Sequence, residues 1–373
     1  MKDDPTDAER AAHLEKRRER FGGFSGSSKA WTWARTLPEP RADIAQALLV
    51  LGRRTADQRK VEAAWPDPPE KDTKWVFDIP CPELPEIELG AVRDPAQIEA
   101  FQKDLADWTR TLRAYSGYRL DLRGANLQRA DLSAKRPDRS DAVFSGALLH
   151  GARMEGAYLE SARIEGASVA FAEMQGAHLI RASIDGANLW HARMEGANLG
   201  DARMKAATLR DARMEGADLR GAQMGGVNLR SARIEAANLR FASMEGANLW
   251  LSQMEGTNLS FVRMERANLR KSLLDNSTKL AGTMLQGAAV QSVDFRETTI
   301  SKEQINTTFG DDTTRLPEDF HRPANWLEGQ LKHWEFQIQY QKWLQNPEAY
   351  TPPAPEQYEG QAADDEETPE PPA

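Results

Sequence analysis

The sequence predicts an all-β solenoid with mainly α-helical flanks, and three observations carry that prediction. Over residues 144–274 an apolar residue recurs at every fifth position, 27 times without an exception. Two residues before each of these centres stands a small or β-branched residue, alanine in 22 of the 27 cases. Superposed on this is a period of ten, in which mostly leucine centres alternate with methionine or isoleucine, as in Met194 and Leu199.

A period of five matches neither the 3.6-residue turn of an α-helix nor the two-residue alternation of a strand. The chain must therefore turn once per repeat and send the same two side chains inward each time. If each repeat forms one side and four sides close a turn, about 20 residues climb one strand spacing, roughly 4.8 Å. The leucine centres then fall on one pair of opposite sides and the methionine or isoleucine centres on the other. Methionine in this pattern is core filler, and no cofactor box is implied. Each buried centre is worth roughly 1.5–3 kcal/mol before entropy is charged.

Ala125-Asn126-Leu127-Gln128-Arg129, Ala217-Asp218-Leu219-Arg220-Gly221 and Ala247-Asn248-Leu249-Trp250-Leu251 resemble the A(D/N)LXX consensus of pentapeptide-repeat proteins. The resemblance covers about residues 120–300 and implies that family's right-handed quadrilateral parallel β-helix. Leading repeats centre on Leu122, Leu127 and Leu132. Lys135 to Asp141 breaks the register as an extruded loop would, and a one-residue slip after Leu274 implies a bulge near 276–279. The expected organisation is a helical extension and cap over 1–116, the β-helix over 117–300, a C-terminal segment over 301–350, and a disordered acidic, proline-rich tail over 351–373.

In the flanks, Arg41 to Ala64 and Pro95 to Tyr115 read as helices, the second opened by Asp94 as N-cap with Pro95 at the first helical position. The proline-rich stretch from Trp65 to Pro85 reads as extended, with Trp65, Trp75 and Phe77 as its contacts. Residues 325–346 carry Leu327, Leu331, Trp334 and Ile338 at helical spacing, with Phe336, Tyr340 and Trp343 alongside, and predict an amphipathic helix with a broad apolar face. An open solenoid end invites edge pairing, so both flanks are expected to cap. The helix from Pro95 is the expected N-terminal cap, and the C-terminal helix is expected to cap, fold back or pair with a second copy. The stretch from Leu316 to Trp326 resembles the post-coil segment of some bacterial pentapeptide-repeat proteins.

The 373 residues carry a net charge of −9. That charge is uneven: −2 over residues 1–121, +3 over 122–300 and −10 over 301–373. One cysteine, Cys81, permits no internal disulfide, and with no secretory pattern at the start a cytoplasmic protein is expected. The longest apolar-leaning run, Ile44 to Leu51, is far below the ~20 residues of a membrane span.

No metalloprotease, phosphate-loop or nucleophile-elbow motif is present, so no catalytic residue, cofactor or metal site is predicted. Counting sides places no two of the six histidines at ligand spacing. The arginines and glutamates flanking the methionine centres, such as Arg193 and Glu195, read as a solvated charged ladder.

One outward pattern is less bland. Trp190, Arg210, Arg230, Trp250 and Arg270 follow leucine centres at intervals of 20 and form one vertical stripe; the fourth side adds Phe241 and Phe261. Tryptophan and arginine are enriched at binding hot spots; a partner or the protein's own flanks would cover them, or their exposure is incidental. The function expected is that of a non-enzymatic interaction scaffold, a rod of about 35 repeats and ~40 Å, that presents this stripe to a protein partner. The family resemblance implies an alternative, a DNA-mimicking regulator or protector of a type II topoisomerase. Mimicry needs an acidic rod, whereas direct nucleic-acid binding needs more positive charge than +3 supplies.

Overall fold

The computed structural model describes residues 27–88, 91–134 and 142–354. The expected loop 135–141, most of the acidic tail and the extreme N-terminus lie outside the described residues. Through the repeats, parallel bridges join residues 20 apart, four to a turn: Val143 to Arg163, Leu148 to Ser168, Arg153 to Glu173 and Tyr158 to His178. Each side is so short that it makes a single bridge before the next corner. The coil thus has four walls, numbered here by their centres: wall 1 from Phe144, wall 2 from Leu149, wall 3 from Met154 and wall 4 from Leu159. Hydrogen bonds climb each wall, as where the Leu189 amide donates to the Thr208 carbonyl at 2.7 Å.

The interior follows the period of five. Leu189, Met194 and Leu199 are fully buried, and so are the alanines two residues before them. At the corners the second residue after each centre from Phe144 to Leu269 takes a positive φ, as at Gly186 (64°) and His191 (54°).

Register changes are visible in the bridge spacing. The first turn pairs Asp121 with Leu148, 27 residues on, and the excess of seven equals the length of 135–141. Farther along, the spacing is 20 at Gln253–Leu273 and 21 at Asn258–Lys279. Asp275 secures the extra residue by accepting from the Gly256 and Ser277 amides at 2.8 and 3.1 Å. The bridges do not stop at 300. Ala289 pairs with Phe309 and Asp294 with Arg315, and the short helix α5 (Lys302–Asn306) is built into this last turn.

The flanking helices depart from expectation in ways that physics accounts for. The expected helix 41–64 is two, α2 (Ala42–Gly52) and α3 (Ala56–Ala64), because Thr55 and Gln58 form a reciprocal capping box that starts a new helix. Of the proline-rich segment's aromatics, Trp75 and Phe77 are buried while Trp65 is exposed. Helix α1 (Ser27–Ala34) lies on the corner after wall 3, with Ala34 and Ala30 against Gly156 and Gly176.

Helix α4 (Pro95–Arg113) has Asp94 as its cap, but it does not cap the coil. It runs lengthwise along the corner after wall 1. Leu112 meets Gly166, Trp108 meets Gly186, Leu105 meets Gly226, Gln102 meets Gly246, and the Pro95 carbonyl accepts from Arg266. Nineteen residues of helix measure ~28 Å. The corner column from Gly166 to Arg266 climbs five coil steps, or ~24 Å, so the helix spans it like a strap.

The N-terminal end is covered instead by α2. Leu48 joins the coil's core, and the Gly52 carbonyl accepts from the Val143 amide at 3.0 Å, standing where a preceding turn would be. At the other end Trp326, only 2% exposed, lies over Gly310 and donates to the Thr308 carbonyl. The C-terminal helix, α6, is shorter than expected, His333–Gln345, and folds back on the coil. Its inward side chains are Phe336, Tyr340 and Trp343, packed round Phe309, while Trp334 and Ile338 of the expected apolar face point outward. Among the described residues no helix is long and apolar enough to cross a membrane.

Candidate interaction surface

The outward column of wall 2 divides into an open half and a covered half. In the open half, Phe171 stands with its ring centroid 5.2 Å from His150, 5.0 Å from Trp190 and 5.1 Å from His191, and Trp190 lies 4.6 Å from His191. Phe171 and Trp190 are exposed, Trp190 by 38%, and the His191 side chain is 41% exposed. Asp211 fixes the arrangement. It accepts from Trp190 Nε1 at 3.2 Å and from Arg210 Nε at 3.3 Å, and its carboxylate is 4.0 Å from His191 Nε2.

In the covered half, the Arg230 guanidinium lies 4.2 Å over the Trp250 ring, and His333 of α6 stacks on that ring at 5.3 Å. Arg270, expected to be an exposed anchor, is 2% exposed. It donates to Gln291 Oε1 at 2.9 and 2.6 Å, lies 3.0 Å from His333 Nδ1 and sits 4.6 Å from the Phe336 ring. Burial lowers its pKa to about 10. Arg270 is therefore a structural anchor for α6, and the expected five-residue stripe is shortened from its C-terminal end.

Phe241 and Phe261 stack at 5.5 Å with Arg240 over Phe241 at 4.5 Å, and both rings are exposed. They lie on wall 4, opposite wall 2. The sequence-predicted residues thus form two surfaces facing in different directions.

The supposed solvated ladder is another correction. Its carboxylates are buried: Glu195 is fully covered and Glu215 and Glu235 are only 2% and 3% exposed, because partly exposed arginines close over them from adjacent turns. Arg213 Nε lies 3.0 Å from Glu195 and 3.6 Å from Glu215, and Arg233 Nε is 3.2 Å from Glu215. Burial, with Glu235 and Glu195 as like-charged neighbours, raises the Glu215 pKa to about 7. On wall 1, burial likewise raises Glu165, Asp185 and Glu265. There Glu245 pairs with Arg93 and Arg263 at 3.1 and 2.9 Å, and Arg203 and Lys205 reach Glu83, so charge also ties the N-terminal flank to the coil.

Two hollows went unread in the sequence. A groove of about 620 Å³ runs between α4 and wall 2, lined by Thr109, Arg113, Thr208 and Asn228. A mostly apolar pocket of about 640 Å³ lies where α4, the last turns and α6 meet, among Ile98, Arg266, Trp343, Leu344 and Tyr350. Their walls come from distant segments, so no local pattern announces them. A partial signal for the strap did exist: the wall 1 corners Gly146, Gly166, Gly186, Ala206, Gly226 and Gly246 are all small, and so are the wall 3 corners Gly156, Gly176, Gly196, Gly216, Ala236 and Gly256, whereas wall 2 places Phe171, His191 and Leu251 there and wall 4 Arg181, Phe241 and Phe261. Among the described residues no group of three or more His, Cys, Asp or Glu is arranged to hold a metal ion. Cys81 is buried, and burial drives its thiol pKa upward, which makes it unreactive.

Four bridges per turn, an interior of stacked centres and short single-bridge sides define the class as a β-helical solenoid. The profile for pentapeptide repeats (8 copies) matches residues 140–170, 162–201, 197–235 and 232–270, so this segment of the chain is built of pentapeptide repeats. No curated protein matches the chain. Among solved structures it is similar to HetL, a pentapeptide repeat protein involved in heterocyst differentiation regulation from the cyanobacterium Nostoc sp. strain PCC 7120. The identity is 20%, over 58% of this chain and 94% of that one, with a TM-score of 0.41. It is also similar to QnrB1, a plasmid-mediated fluoroquinolone resistance protein, at 15% identity over 54% of this chain and 91% of that one, with a TM-score of 0.39.

Proposed function

We propose that the protein is a non-enzymatic, cytoplasmic scaffold whose right-handed coil presents the open half of wall 2 to a protein partner. The observation that carries this reading is the cluster of Phe171, Trp190 and His191, three exposed aromatic side chains in mutual contact, held by Asp211 on a rigid wall and left uncovered by both α4 and α6. Ordering costs are low because the rings are already packed against one another. Arg210 beside them, with Arg230 one turn on, favours a partner that brings carboxylates. Trp250 and Arg270 act within the fold, and Phe241 and Phe261 form a separate surface.

Burial of the ladder carboxylates weighs against the topoisomerase alternative. A DNA mimic must display its acids, whereas Glu195, Glu215, Glu235, Glu245 and Glu265 are hidden beneath partly exposed arginines. The test is affinity capture with the parent chain, Phe171→Ala/Trp190→Ala, and Phe241→Ala/Phe261→Ala. The reading expects a partner retained by the wall 4 double variant and lost from the wall 2 double variant. The reverse pattern, or indifference to both, would sink it.

A further inference from the structure

We propose that the acidic segment 355–373 of this chain docks along wall 2 and lays its carboxylates over Arg230 and Arg210. The four walls differ in outward charge. Walls 1 and 3 interleave carboxylates with arginines, and wall 4 sets Glu160, Asp201 and Asp218 against Arg181, Arg220 and Arg240. Wall 2 is one-sided: from Ser168 to Lys271 its only acid is Asp211, against Arg210, Arg230, Arg270 and Lys271. Arg270 is buried beneath α6, and Asp211 is shared among Trp190, Arg210 and His191. On the wall itself, then, a single carboxylate faces three outward cations, and the Arg210 side chain is 40% exposed. Helix α4 adds a further cation to the same face, where the exposed Arg113 donates to Thr208 Oγ1 at 3.4 Å.

Residues 355–373 match this surface in charge and in reach. They hold seven acids and no lysine, arginine or histidine, and four of the acids run from Asp364 to Glu367. The described chain ends at Ala354, just past Tyr350, whose ring centroid is 5.7 Å from that of Phe309. Phe309 belongs to wall 2. Parallel bridges step from it through Ala289, Asn268, Asn248 and Asn228 to Thr208, which is five coil steps or ~24 Å. The ten residues from Ala354 to Asp364 reach up to ~35 Å, so the acidic run can come level with Arg230 and Arg210. Attachment to the same chain holds the segment at about millimolar effective concentration, so weak individual ion pairs suffice to seat it. A segment seated there would compete with a partner's carboxylates for the two arginines, yet the contact needs no partner and is read in the isolated chain.

The test is zero-length carbodiimide coupling, which joins an amine to a carboxylate in contact with it, in the full chain bearing Arg230→Lys or, on the opposite wall, Arg240→Lys. The first should link position 230 to the run from Asp364 to Glu367 at ~10-fold or greater yield than the second links position 240. Salt at ~1 M, which shortens the screening length to ~3 Å, should abolish the excess. In a mixture of heavy- and light-isotope chains each linked peptide should carry one label only. No linkage at low salt, equal yields from the two walls, or linked peptides of mixed label overturn the proposal. Should Arg230→Lys alter the circular dichroism of the coil, Arg210→Lys gives the same reading one step along, with the same outcomes deciding it.

Discussion

Glu215 shows how a single residue in this coil differs from its apparent sequence role. Side by side, Arg213 and Glu215 look like an exposed ion pair worth under ~1 kcal/mol. In the wall the carboxylate sits beneath the arginines of two turns, 3.6 Å from Arg213 and 3.2 Å from Arg233, and between Glu195 and Glu235. A carboxylic acid whose folded pKa is raised from 4.5 to about 7 binds its proton more tightly in the native state. Its contribution to stability is therefore present in full below pH 4.5 and lost as the pH rises through 7. At 1.36 kcal/mol per unit the loss is about 3 kcal/mol. Glu215→Gln removes the charge and keeps the shape, so the variant should melt above the parent at about pH 8 and level with it near pH 4.5. A difference in melting temperature that is independent of pH would show that the carboxyl titrates normally.

At the scale of elements, the strap α4 depends on what the coil withholds. Gly226 lies in the left-handed region, with φ at 64°, and a Cβ there would stand 2.9 Å from Leu105. Gly151 has nearly the same φ, 63°, with open space around it. Alanine at either position carries about 1 kcal/mol of backbone cost, but only Gly226→Ala also overpacks against the helix, by roughly 1–3 kcal/mol. The expected result is that Gly226→Ala lowers the melting temperature more than Gly151→Ala does and speeds amide exchange in α4; equal effects would mean that the strap contributes little. The repeat itself was legible because one inward site recurs every five residues, and the coil followed from that. The course of the flanks was not, since two corner columns, those after walls 1 and 3, are equally small over residues 20 apart and nothing local says which of them a helix takes. Half of the candidate stripe was legible for the same reason in reverse: Trp190 and Arg210 obey the coil's period, whereas the fate of Trp250 and Arg270 is set by α6, whose landing place no periodicity encodes.

For the whole molecule, each turn of coil touches chiefly the turns before and after it, so stability is expected to be a sum of neighbouring interfaces and to be lowest at the ends. Two features oppose fraying. Helix α4 bridges the turns from Gly166 to Arg266, and each end is closed by a side chain from outside the repeat, Leu48 at one and Trp326 at the other. Beyond Arg266, where the strap ends, the last turns rely on Trp326 and on the cluster of Phe309 with α6. Trp326→Ala removes the closure there, exposes the Gly310 turn and takes a donor from the Thr308 carbonyl, at a cost of ~3–5 kcal/mol. Hydrogen exchange should then accelerate over residues 289–315 while the amides of Leu189 and Leu209, in the turns that the strap spans, keep the parent's rates. Uniform acceleration along the coil would mean that the strap couples every turn into one cooperative unit, and the sum over neighbours would give way to a single unfolding event.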